Sequence, residues 1–174
     1  AVVNQYGGYI GEEFTVVLAA MRWLDLHKGS AAANLSTSRM IDDIAQKQGC
    51  QVFRSAVGEA NVASVMQEQG CVIGGEGNGG VILPQVCWVR DSLAGMALVL
   101  DLLQSRNERL AEIVDTMPHY EMIKKTIDLK DCGGIPALDA EIERLKELYI
   151  NEAINDSDGL RIDFDEGWLH VRAS

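Results

Sequence analysis

The chain has 174 residues, 47% hydrophobic and 24% charged, enough to bury one good core or one domain plus part of a second. Its formal net charge of −11 repels phosphate backbones and anionic lipid, which argues against nucleic acid and membrane as partners. No apolar run reaches bilayer length and no basic-then-apolar leader opens the chain, which starts at Ala1 as a piece of a longer protein would. The four cysteines form no C-x-x-C pair, and Cys50, Cys71 and Cys87 sit in apolar runs as reduced core thiols do. A cytoplasmic setting is therefore expected, and a zinc or disulfide framework is not.

From Gly11 the pattern GEEFTVVLAAMRWLDL places Phe14, Val17, Leu18, Met21 and Leu24 on one helical face. AAANLS follows as a buried strand. TSRMIDDIAQKQG then predicts a helix capped by Thr37 or Ser38, with Met40, Ile41 and Ile44 inward and Gly49 as the stop. CQVFRSA reads as a strand, GEANVASVMQEQG as a helix ended by Gly70, and CVIGG as a third strand. This alternation predicts a three-layer α/β/α domain with a mixed, mostly parallel sheet. VILP resumes extended structure, Asp91 caps a helix over SLAGMALVLDLLQS, and a short helix over ERLAEIVDTM stops before Pro118. Beyond it HYEMIKKTIDL reads as a strand. A long helix from about Pro136 carries Leu138, Ile142, Leu145, Leu148 and Tyr149 at helical spacing. The end alternates Leu160, Ile162 and Phe164, turns at Asp165-Glu166-Gly167 and runs on from Trp168, an antiparallel hairpin. The expected organisation is an α/β domain over residues 1–117 and an incomplete α+β domain over 118–174, whose raw sheet edge calls for further strands.

The stretch GGEGNGG, Gly74–Gly80, has glycines 75, 77 and 80 at the spacing of a dinucleotide fingerprint. That motif needs a helix opening at its last glycine, with the helix N-terminus facing a pyrophosphate. Here Val81-Ile82-Leu83-Pro84 follows, a strand pattern, and Glu76 would repel the pyrophosphate. A carboxylate on glycine-rich backbone suits neutral hydroxyls instead, because its two oxygens accept from adjacent alcohols, and Asn78 adds a donor and an acceptor. The plainer alternative is a tight hairpin turn in which Glu76 is merely solvated.

These residues resemble a known family. GGEGNGG looks like the sugar-recognition loop of the α-D-phosphohexomutases, the superfamily of phosphoglucomutase, phosphomannomutase and phosphoglucosamine mutase. NLSTSRMID and VGEANV resemble third-domain segments ahead of that loop, and DGLRIDFDEGWLHVRAS is similar to the start of the fourth domain. The resemblance implies a four-domain enzyme that interconverts hexose 1- and 6-phosphates through a phosphoserine and a bisphosphorylated intermediate. The serine loop and the Asp-x-Asp-x-Asp loop for Mg2+ belong to domains 1 and 2 of the parent chain. No catalytic residue or metal ligand then falls in this sequence, and the fragment alone is expected to be inactive. By position, Glu76, Gly77, Asn78 and Gly79 would bind the sugar, and Arg172 and Ser174 would open the phosphate loop. Some relatives have lysine at the position of Ser36 and histidine at that of Glu59, both facing the cleft; this sequence departs at both.

Arg39 and Arg54 are further cleft candidates, though arginines so placed are more often surface ion-pair partners. Arg90-Asp91 precedes a helix, where Asp91 as N-cap is the simplest role. His27, His119 and His170 have no second ligand at metal spacing. The favoured reading is a phosphohexomutase substrate-binding fragment that takes a hexose phosphate. A stand-alone carbohydrate-binding module is the alternative. A nucleotide-dependent enzyme would require a helix directly after Gly80.

Overall fold

A computed structural model describes residues 2–173, and of Asp131 the backbone alone. The chain divides into two compact units, Ala1–Glu121 and Met122–Ser174. In the first, α1 (Glu13–Leu26), β1 (Ala31–Asn34), α2 (Met40–Lys47), β2 (Val52–Ser55), α3 (Glu59–Gln69), β3 (Ile73–Glu76), β4 (Gly80–Ile82), α4 (Ser92–Arg106) and α5 (Leu110–Asp115) follow in order. The sheet order is β2-β1-β3-β4. β1 pairs in parallel with β2 and β3, while β4 returns antiparallel to β3.

Helices cover both faces. Alternate residues of β1 serve opposite sides: Ala31 and Ala33 join α1, α2, α4 and α5 in one apolar cluster, and Ala32 joins Val62 and Met66 of α3 in the other. The small side chains of β1 and the bare Gly74 and Gly75 of β3 let the helices approach closely. A Cβ at Gly74 would overlap Met66, and one at Gly75 would overlap Val16 and the Gly80 carbonyl. The expected inward residues of α1 are buried except Phe14, which is half-buried against the cluster. Gly49 and Gly70 end α2 and α3 with φ of +70° and +65°. Asp91 caps α4, its Oδ1 accepting from the Ala94 N–H at 2.8 Å. The α2 cap differs from expectation: Met40 is the first helical residue, Ser38 Oγ accepts its N–H at 3.3 Å, and Thr37 bonds elsewhere.

The second unit has a 3-10 turn (Leu129–Cys132), α6 (Gly134–Leu148) and the antiparallel sheet β5-β6-β7, built of Ala153–Asn155, Leu160–Asp163 and Trp168–Val171. The predicted hairpin is present, closed by the Phe164 N–H donating to the Gly167 carbonyl at 2.8 Å. Two expectations are corrected. Residues 119–128 form no strand: among the described residues no neighbour pairs with them, and Ile123 and Ile127 stand exposed. Alternation without a partner is not a strand. Helix α6 starts at Gly134 and fully buries none of its residues, so Leu138, Ile142 and Leu145 are half-buried and Leu148 is exposed. The strand β5, hidden in NEAIND, is an addition. Arg161 is the buried polar residue here, forked onto Asp163 at 2.7 and 2.9 Å with its guanidinium 4.6 Å from the centre of the Trp168 ring.

Candidate functional site in the first unit

The parallel strands β1, β2 and β3 end on the same edge of the sheet, where ligands of open α/β sheets bind. Three connections meet there: residues 35–39 after β1, 56–58 after β2, and the turn 77–79 between β3 and β4. No helix opens at Gly80, which begins β4 opposite Glu76. The glycine stretch is thus a hairpin, with Gly79 at φ +91° and its N–H bonded to the Glu76 carbonyl at 3.0 Å.

Glu76 is not solvated. It is 4% exposed, and its Oε1 accepts from Asn34 Nδ2 at 2.8 Å and from the Gly58 N–H at 3.2 Å. Gly58 is the N-cap of α3, so the carboxylate also lies at the positive end of that helix. Its Oε2 faces Arg90 Nη1 at 3.4 Å. Asn34, itself buried, takes the Thr37 hydroxyl at 2.8 Å and the Ser36 N–H at 3.0 Å on its Oδ1. Thr37 Oγ1 in turn accepts the Gly77 N–H at 2.9 Å. The β1 loop and the glycine hairpin are thereby stitched through fully buried polar groups, each satisfied as burial demands. Gly77 lies over the Glu13 carboxylate at the start of α1, leaving no room for a Cβ, and Glu13 Oε2 accepts the Ser38 N–H at 3.1 Å.

Asn78 is exposed at the turn. Its Oδ1 accepts the Gly80 N–H at 3.2 Å. Ser36 is half-buried beside Asn34. Arg54 holds the loop from beneath: Nη1 donates to the carbonyls of Asn34 and Thr37 at 2.9 and 2.8 Å, and Nη2 to that of Ser38 at 3.2 Å and to Asp42. It acts as a clamp on the β1 loop. Arg39 is half-buried in the N-cap position of α2. Glu59 pairs with Arg90 Nε. That hydrogen bond above all pushes the Arg90 guanidinium above its ordinary value; burial opposes it, and the charges of Glu59 and then Glu76 add to the upward push.

In the second unit Arg172 is exposed just beyond β7, its Nη1 donating to the Ala173 carbonyl at 3.1 Å. Ser174 lies outside the described residues. Burial pushes His170 below its usual pKa, with Nε2 2.7 Å from the Asp158 carbonyl. No group of three His, Cys, Asp or Glu side chains suited to a metal ion occurs among the described residues.

The sequence reading gave no site role to Asn34, Thr37, Gly58 or Arg90. Asn34 was read as part of a buried strand, Thr37 as a possible helix cap and Gly58 as the start of a helix, and Arg90 was passed over in favour of its neighbour Asp91. The one available signal was Asn34 itself, a polar residue closing an otherwise apolar strand.

An α/β/α domain with a polar site at the carboxyl edge of its parallel strands is the class that fold and site define. The chain belongs to the phosphoglucomutase/phosphomannomutase family: residues 11–120 match its α/β/α domain III. It is similar to a "Probable phosphoglucosamine mutase" of Methanopyrus kandleri, 33% identical over 99% of this chain and 38% of that protein. It is likewise similar to a phosphoglucomutase/phosphomannomutase of Thermococcus kodakarensis, 32% identical over 99% of this chain and 37% of the relative. The chain thus spans less than two-fifths of the length of these curated relatives. Among solved structures, a phosphoglucomutase/phosphomannomutase family protein of Burkholderia thailandensis shares the fold with a TM-score of 0.77 at 18% identity, over 99% of this chain and 37% of that one.

Proposed function

We propose that the chain is the sugar-binding portion of a phosphohexomutase, an isomerase that interconverts hexose 1-phosphate and hexose 6-phosphate, with the second unit the start of its phosphate-binding domain. The observation that carries this reading is the buried Glu76 carboxylate at the carboxyl edge of the parallel strands. Its Oε1 is filled by Asn34 and Gly58, whereas among the described residues Oε2 holds only the long contact to Arg90. Oε2 is therefore the oxygen that takes a hexose hydroxyl, with the exposed Asn78 amide two residues on in the same turn for the neighbouring one. Alcohols on adjacent ring carbons are common to glucose, mannose and glucosamine phosphates, so such a loop accepts all of them and serves both orientations of a sugar that turns over between half-reactions.

The bond-making chemistry belongs to the remainder of the parent chain, which would supply the phosphoserine and the Mg2+ ligands. This portion alone would bind but not turn over substrate. Arg172 would contribute a forked phosphate contact from the second unit. A cytoplasmic setting agrees with the four free thiols, and no helix among the described residues is long and apolar enough to cross a membrane. Glu76→Ala in the full-length enzyme is expected to lower kcat/KM by roughly 10- to 150-fold, about 1.5–3 kcal/mol, for every hexose phosphate assayed. Wild-type steady-state kinetics in that variant would remove Glu76 from the site. A stand-alone sugar-binding module would instead show tight hexose binding by residues 1–174 in calorimetry and no dependence on the rest of the chain.

A further inference from the structure

We propose that Arg90 is a positioning residue for the sugar-reading carboxylate of Glu76, an inference that rests on the reading of that loop given above. Three independent fixings place it. Its backbone is pinned from the C-terminal side, because the Asp91 N–H donates to the Val81 carbonyl at 2.8 Å and the Asp91 side chain caps α4. Its aliphatic stem crosses β4 at Gly80, where a Cβ would overlap Arg90 Cδ and Cγ. Its head is divided, Nε to Glu59 and Nη1 to Glu76 Oε2 at 3.4 Å. Glu59 thus anchors the guanidinium and leaves one arm for Glu76.

The consequence follows from what the carboxylate must do. To accept a hydroxyl on Oε2, Glu76 has to be turned so that Oε2 meets the sugar. The groups facing it are Asn34 from β1, the Gly58 N–H at the start of α3, and Arg90 from the β4–α4 connection, with Glu59 beside Arg90 and Glu13 beneath Gly77. Of these groups Arg90 is the cation, and it is the one that faces Oε2. Asn34 and Gly58 fix one oxygen and Arg90 the other, so rotation about the carboxylate bond is held from both sides.

The test is a double-mutant cycle in the full-length enzyme, assayed with a hexose 1-phosphate. Arg90→Ala is expected to lower kcat/KM roughly tenfold or more in the wild-type background and less than about twofold beyond Glu76→Gln, because a residue acting through Glu76 has nothing left to position. Arg90→Lys should recover part of the loss, keeping the charge without the forked reach. Gly80→Ala supplies a variant with the arginine intact: Gly80 has an ordinary backbone φ, so the new methyl displaces the arginine stem rather than straining the chain. It should reproduce the Arg90→Ala defect and be silent when combined with it.

Equal losses from Arg90→Ala in the wild-type and Glu76→Gln backgrounds would overturn the proposal. So would a fully active Gly80→Ala enzyme. If Glu76→Gln itself keeps wild-type kcat/KM, the reading of the loop fails and the role of Arg90 falls with it. An impaired Glu76→Gln beside a fully active Arg90→Ala overturns Arg90 alone.

Discussion

The two units handle burial in opposite ways. The first sandwiches its sheet between helices, so that every residue of β1 and β3 is buried and apolar clusters fill both faces. The second has one helix that buries no residue fully and a three-stranded sheet in which only Leu160, Arg161 and Ile162 are buried. Ile123, Ile127, Leu148 and Ile150 stand exposed there. A loop that must aim a carboxylate needs the first kind of support. A buried polar network such as Asn34–Thr37–Gly77–Glu76 tolerates no water and no slack, and the packed strand ends provide neither.

That contrast can be broken most directly by truncating one apolar side chain in each unit. Ile73→Ala, at a fully buried position in β3, is expected to cost about 2–5 kcal/mol in denaturant unfolding of the first unit. Leu148→Ala, at a position 59% exposed in α6, should stay within about 0.5 kcal/mol. Comparable costs at the two positions would mean that the second unit has a core of its own. The next effect in size concerns the clamp. Arg54→Ala strips the carbonyls of Asn34, Thr37 and Ser38 of a charged donor and should destabilise the first unit by about 2–3 kcal/mol. It should also raise KM in the full-length enzyme, because the loop that carries Asn34 and Thr37 loosens. A stability loss with unchanged KM would separate the clamp from the site.

Much of the first unit was legible before any coordinates. Helical spacing from Phe14 to Leu24, the Gly49 and Gly70 stops and the Asp91 cap are local signals, and local structure obeyed them. The strand expected over residues 119–129 failed because alternation says nothing about whether a neighbour exists to pair with. At the site, glycine spacing and a misplaced carboxylate were enough to reject a pyrophosphate cradle and to single out Glu76. The two outcomes then weighed for that residue, sugar ligand or solvated turn, left out what the fold does with it. A hairpin turn buries it against a neighbouring strand and two loops. The partners that achieve this, Asn34, Gly58 and Arg90, lie 42, 18 and 14 positions away. They meet Glu76 only through the order of strands in the sheet, which no local pattern encodes.

Glu76 Oε2 is the atom proposed to receive a sugar hydroxyl. A crystal structure of the full-length enzyme with a bound hexose 1-phosphate measures this directly. The expected result is a ring hydroxyl oxygen within roughly 2.5–3.0 Å of Oε2, with Asn34 and Gly58 still on Oε1. A hexose held elsewhere, with Oε2 still turned to Arg90 and no sugar oxygen in hydrogen-bonding reach, would contradict it.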